Sequence, residues 1–175
     1  MLTKEKLIDA LKALGKKLEN EEKKGEILIA GGAAMSLILN ARTSTQDIDA
    51  LYEPKDDINR LANIVAREMN LPKNWLNDGV KGFMSEHTTS QAYSKFGGLS
   101  VNSVTPECLL AMKLFSARIG DTDVGDVKFL MEYLNITTVE GAHEILDSYY
   151  PANRILPKTA YFIEEIVEEI NSNTG

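Results

Sequence analysis

The hydrophobic positions at the start of the chain repeat with the period of a helix. Four leucines follow one another at intervals of three or four residues, namely Leu7, Leu11, Leu14 and Leu18. This spacing places them on one face and predicts an amphipathic helix over residues 3–22. A short apolar run over 27–30 then stops at a pair of glycines, and good helix formers follow over 33–40. That order predicts a strand, a tight turn and a second helix.

A second strand is predicted where acidic and apolar residues alternate over 47–52, because a period of two gives a strand one buried face. Asp56 and Asp57 precede another helical pattern, where acids suit the positive end of a helix. Residues 71–104 are less regular and contain several turn signals. Within them, residues 99–104 are the best candidate for a strand.

Helical signals dominate the second half of the chain. They are a Thr-Pro-Glu helix start at 105–107, a periodic pattern over 123–134, a capping box at 137–140 and a last amphipathic helix after Pro157. The fold class predicted is therefore α+β. Residues 1–105 form a mixed β-sheet with flanking helices, and residues 106–175 form a helical part packed on it as one compact unit.

Composition restricts the classes of function. A formal charge of −7 argues against broad non-specific attraction to DNA or RNA, because that affinity comes mainly from cations that neutralise phosphates. Cys108 is the only cysteine, so it forms no internal disulfide, and its apolar neighbours predict a packed side chain. No window is apolar enough for a membrane span, and the charged amphipathic start differs from a signal peptide. We therefore expect a cytoplasmic protein with no membrane partner.

One pattern carries candidate chemistry. Asp47 and Asp49 lie two positions apart, so on a strand their carboxylates share one side at a spacing of roughly 6.6 Å. Such a pair is suited to one or two magnesium ions that also bind substrate phosphates. Gly31 and Gly32 form a turn at the start of a helix shortly before, where backbone N–H groups donate to phosphate oxygens without obstruction by a side chain. Ser36, about one turn later, would add a hydroxyl.

The segment LIAGGAAMSLILNARTSTQDIDAL resembles the DNA polymerase beta-like nucleotidyltransferase superfamily. It is most similar to the small prokaryotic members related to the toxin component of abortive-infection toxin–antitoxin systems. In those proteins an arginine and a threonine precede the acids, and here Arg42 and Thr45 stand at about those places. The resemblance implies a nucleotidyltransferase-like fold in which both residues contribute to nucleotide binding.

The resemblance continues in the segment LLAMKL and in the acid-x-x-acid that follows it. It implies that Lys113 offers a charge to the triphosphate as a catalytic residue, and that Asp123 or Asp126 orients that lysine or binds near the base. An alternative remains open from the residues alone. Lys113 and Arg118 would then be solvent-facing members of an amphipathic helix, with Arg118 paired to Asp121 or Asp123.

The implied activity is magnesium-dependent transfer of a nucleoside monophosphate from a nucleoside triphosphate to an acceptor hydroxyl. The acceptor would be RNA, a protein or a small molecule. Active members of the superfamily place a third carboxylate on a later strand, and residues 99–104 contain none. Either another group replaces it, or the site uses two acids, or the protein is inactive. The alternative function is therefore a degenerate nucleotide-binding or toxin–antitoxin interaction protein, with a partner protein or a second copy of itself.

Overall fold

The computed structural model describes residues 1–117 and 123–174, without the side chain of Asp123. The chain divides into two units. The first contains residues 1–82 and 90–104, and the second contains residues 83–89 and those from 105 onward. In the described ranges no helix is both long enough and apolar enough to cross a membrane.

The first unit is a mixed sheet with three helices among its described residues. The helices are α1 (Lys4–Asn20), α2 (Gly31–Leu37) and α3 (Lys55–Glu68). A small sheet pairs β1 (Leu2–Thr3) with β3 (Ser44–Thr45). The large sheet has the strand order β5-β4-β2-β7-β6, and its strands are β2 (Gly25–Ile29), β4 (Ile48–Glu53), β5 (Leu76–Asn77), β6 (Ser90–Phe96) and β7 (Leu99–Val104).

Strand β2 lies at the centre of the large sheet. It pairs antiparallel with β4 and parallel with β7. One face of these strands is apolar and packs under α1 and α3, as shown by Gly25, where an added Cβ would lie 3.0 Å from Leu18 and 3.1 Å from Ile58. The alternation of the strands therefore places the side chain of Asp49 on the opposite face.

The second unit consists of helices among its described residues. They are α4 (Pro106–Phe115), α5 (Asp123–Tyr133), α6 (Val139–Tyr149) and α7 (Pro157–Asn173). Two threonines cap helices in this unit: Thr105 Oγ1 accepts from the N–H of Cys108, and Thr138 Oγ1 accepts from that of Gly141. Both helix starts were predicted from the capping residues.

The α+β class is confirmed, and β7 has the bounds predicted for it. The buried position of Cys108, 1% exposed, is also as predicted. Three details differ. Asp47 lies just before β4 rather than within it. The two glycines form the first turn of α2 instead of preceding that helix. Helix α4 ends at Phe115, whereas the apolar run that begins at Cys108 predicts a helix that continues up to Gly120.

Candidate functional site

The carboxylate of Asp49 packs against Gly31. The backbone N–H of Ala30 donates to the carbonyl of Asp49 over 2.9 Å, so the end of β2 and the start of β4 are held together directly before the glycines. Gly31 has φ +60°, and an added Cβ would lie 3.1 Å from Asp49 Oδ2. Glycine adopts this left-handed backbone without the strain that a side chain would bring. The acid and the glycine turn predicted as one site are therefore neighbours.

Gly32 contacts the two polar residues that precede the acids. An added Cβ on Gly32 would lie 2.7 Å from Thr45 Oγ1 and 3.1 Å from Arg42 Nη1. Thr45 is buried and its hydroxyl donates to the carbonyl of Asp47 over 3.4 Å. The loop between α2 and β4 thus returns to the start of α2 and brings a guanidinium group beside the glycines.

Asp47 lies at the same end of the sheet, half-buried. Its Oδ2 accepts a hydrogen bond from Asn77 Nδ2 over 3.0 Å. Burial raises the pKa of the Asp47 carboxyl above its ordinary value, and the hydrogen bond from Asn77 opposes part of that rise. A cation bound beside this carboxylate would favour its charged form, because an opposite charge nearby stabilises ionisation.

Asn77 and Gly79 also belong to this site, although sequence reasoning did not identify them. Asn77 lies opposite Asp49 in the register of β4 and β5. Its Oδ1 accepts from the N–H of Gly79 over 2.9 Å. A Cβ added to Gly79 would lie 2.9 Å from Asn77 Oδ1 and 3.7 Å from Asp49 Oδ1. The available signal was an asparagine at the end of a short strand that runs beside the strand of the acids.

The face of the sheet that carries Asp49, opposite α1 and α3 and called here the open face, continues across three strands. Leu51 pairs with Leu28 on β2, and Leu28 pairs with Asn102 on β7. These side chains are half-buried. The residues of β7 that alternate with Asn102 on this face are Ser100 and Val104, so this strand carries no carboxylate there, as its sequence indicated. In the described part of the chain, no group of three or more His, Cys, Asp or Glu side chains is arranged to hold a metal.

The donor set still suits magnesium. Asp47 and Asp49 would hold it, because Mg²⁺ prefers oxygen ligands and is usually bound by one or two carboxylates together with substrate phosphates and waters. A site of this kind does not need a complete cage of protein ligands. The neighbouring amide of Asn77 and the guanidinium of Arg42 add polar groups that fit a charged ligand.

The remaining predicted residues have other positions. Ser36 is fully buried in α2, and its Oγ has no hydrogen-bond partner among the described residues, so a nucleotide would reach it only if α2 moved. Lys113 and Asp126 lie in the second unit, where Lys113 Nζ and Asp126 Oδ2 form a buried ion pair of 2.7 Å. The alternative of a solvent-facing Lys113 is therefore wrong. Arg118 and the side chain of Asp123 lie outside the described residues.

Comparison with known protein families, with curated proteins and with solved structures finds no match to this chain.

Proposed function

We propose that the chain is a nucleotidyltransferase that transfers a nucleoside monophosphate from a nucleoside triphosphate to an acceptor hydroxyl. The observation that supports this most strongly is the packing of the Asp49 carboxylate against Gly31, with Asp47 at the same sheet edge. In the superfamily that the sequence resembles, the same glycines and acids form the nucleotide and metal site. The nucleotidyltransferase-like fold is part of this proposal.

Residues of the first unit would bind the phosphates and the metal ion. Gly31 and Gly32 would offer backbone N–H groups to phosphate oxygens, because neither residue carries a side chain of its own. Arg42, beside Gly32, would pair with a phosphate through its planar guanidinium. Asp47 and Asp49 would hold magnesium, which, when bound, polarises the phosphoryl oxygen and neutralises developing charge.

The reaction forms one bond at the α-phosphorus, breaks another there, and releases the proton of the acceptor hydroxyl. The acceptor hydroxyl oxygen attacks the α-phosphorus, the bond from that phosphorus to the bridging oxygen of the β-phosphate breaks, and pyrophosphate leaves. The proton of the hydroxyl passes to solvent or to a carboxylate of the site.

The test is transfer of an α-labelled nucleotide in the presence of Mg²⁺. Each nucleoside triphosphate is offered with total RNA, with a protein extract and with small-molecule hydroxyl compounds, to the wild type and to Asp47→Asn and Asp49→Asn. A bound metal contributes several kcal/mol of transition-state stabilisation, and about 1.4 kcal/mol corresponds to tenfold in rate. We therefore expect each variant to lose roughly a hundredfold or more.

The matched control is Asp56→Asn, which changes an exposed acid in the first turn of α3. This variant is expected to retain wild-type transfer, because it loses one negative charge, as the other two variants do, but at a position away from the glycines. Absence of triphosphate consumption with every acceptor pool would contradict the proposal. So would wild-type rates in both variants of the acid pair.

The lack of a carboxylate on the open face of β7 favours a second candidate, a catalytically degenerate protein that binds nucleotide. Calorimetric titration with a non-hydrolysable triphosphate separates the two candidates. The enzyme should bind it more tightly with Mg²⁺ than without, and binding that is indifferent to Mg²⁺ supports the degenerate protein.

A further inference from the structure

Asn77 makes hydrogen bonds with both the nitrogen and the oxygen of its side-chain amide. Nδ2 donates to Asp47 Oδ2 over 3.0 Å, and Oδ1 accepts from the N–H of Gly79 over 2.9 Å. The register of β5 on β4 sets Asn77 directly opposite Asp49. Backbone pairing therefore places Asn77 beside Asp49, and hydrogen bonds at both ends of its amide join it to Asp47 and Gly79.

The chemistry of the neighbours determines the orientation of the amide. A backbone N–H only donates, so the atom that faces Gly79 must be the amide oxygen. An ionised carboxylate only accepts, so the atom that faces Asp47 must be the amide nitrogen. A Cβ at position 79 would lie 2.9 Å from Asn77 Oδ1, so a larger residue there would displace this amide oxygen. No other orientation satisfies both hydrogen bonds.

We propose that Asn77 is a positioning residue, which holds the Asp47 carboxylate in the orientation that binds a divalent cation together with Asp49. This rests on the proposed function. Carboxylates that bind metals are usually hydrogen-bonded by a further residue, which orients them. Asn77 supplies that bond to Oδ2 and leaves Oδ1 of Asp47 for the cation.

A competing role for Asn77 is direct: its amide oxygen would replace the third carboxylate as a metal ligand. The structure favours the positioning role, because the amide nitrogen, which cannot bind a cation, faces Asp47, while the Gly79 N–H already takes one of the two lone pairs of Oδ1. The two roles predict opposite results for Asn77→Asp. That substitution keeps the shape and the acceptor for Gly79, but it removes the donor to Asp47 and adds a negative charge.

The experiment titrates the protein with Mn²⁺ alone and counts free ion by electron paramagnetic resonance. Asn77→Ala and Asn77→Asp are expected to raise the Kd about tenfold, the lower end of the effect seen when such orienting bonds are removed. Asn63→Asp, an exposed residue of α3 whose amide donates to the carbonyl of Asn59, is the control and should bind as the wild type does. Circular dichroism confirms that the variants are folded.

Unchanged or tighter Mn²⁺ binding by Asn77→Asp would overturn the positioning role, because an added ligand would then outweigh the lost donor. Failure of the wild type to bind Mn²⁺ would instead overturn the proposed function and its metal site. The two failures are thus separate outcomes.

A second measurement does not depend on metal or on a folded Asn77 variant. The side-chain amide signals of Asn77 in a ¹⁵N–¹H spectrum of the metal-free protein should move in Asp47→Asn, because the charged acceptor is lost. Signals that do not respond to Asp47→Asn would contradict the hydrogen bond on which the positioning role depends.

Discussion

Gly31→Ala tests the contact between the glycine turn and the acid. A residue with a Cβ in the left-handed conformation costs about 1–2 kcal/mol, and Gly31 has φ +60°. Alanine also restricts the unfolded chain, which returns about 0.4–1 kcal/mol. The new Cβ would lie 3.1 Å from Asp49 Oδ2, and the carboxylate relieves this contact by rotating. The expected loss in the free energy of unfolding is therefore only about 1 kcal/mol.

Gly31→Ala should also reduce function, because it displaces the Asp49 carboxylate. A misplacement of about 1 Å costs about a hundredfold in rate, so a shift of a few tenths of an ångström in the Asp49 carboxylate should reduce nucleotide transfer about threefold to tenfold.

Urea unfolding measures the stability of this variant, and labelled-nucleotide transfer measures its activity. The control is Gly82→Ala, because Gly82 has no heavy atom within 4 Å of an added Cβ and has no positive φ. It should match the wild type in both assays. A Gly31→Ala protein with wild-type stability and transfer would refute the packing of Asp49 against the glycine.

Three further experiments test the packing of buried residues. Gly15→Ala should lower the free energy of unfolding, measured in urea, by about 2 kcal/mol or more. The reason is that the new Cβ would lie 1.8 Å from the carbonyl oxygen of Phe96, which outweighs the preference of alanine for helices. A stabilised variant would contradict this. Lys113→Met or Asp126→Asn alone should cost about 3–5 kcal/mol, since each removes one member of a buried ion pair. The double variant should cost less than the sum, and additive losses would contradict the pairing. Burial raises the pKa of the Cys108 thiol, so a thiol reagent at pH 8 should react slowly with native protein and fast in denaturant, and fast native reaction would contradict the burial.

The elements with strong periodicity could be predicted from the sequence. Helix α1 and strand β7 follow directly from their apolar spacing, because each has one face in the core. The proximity of Gly31 to Asp49 also follows from the pattern, since the chain leaves β2 at the glycines and returns antiparallel through β4.

The parts that were missed lack such a signal. Strand β6 is mostly exposed, so its residues show no alternation, and pairing with β7 alone makes it a strand. Asn77 was missed because asparagine beside Asp78 and Gly79 is typical of a turn, and only the register on β4 places it beside the acids. Ser36 is predicted to contact phosphate because a hydroxyl one turn after a glycine pair suits that ligand, and nothing in the sequence indicates that the packing of α2 buries this side chain.

A crystal structure with magnesium and a non-hydrolysable nucleoside triphosphate tests the central claim most directly. The account predicts a metal ion bound by oxygens of Asp47 and Asp49, with the phosphates against the backbone of Gly31 and Gly32. A triphosphate bound elsewhere, or a bound nucleotide whose metal contacts neither acid, would contradict it.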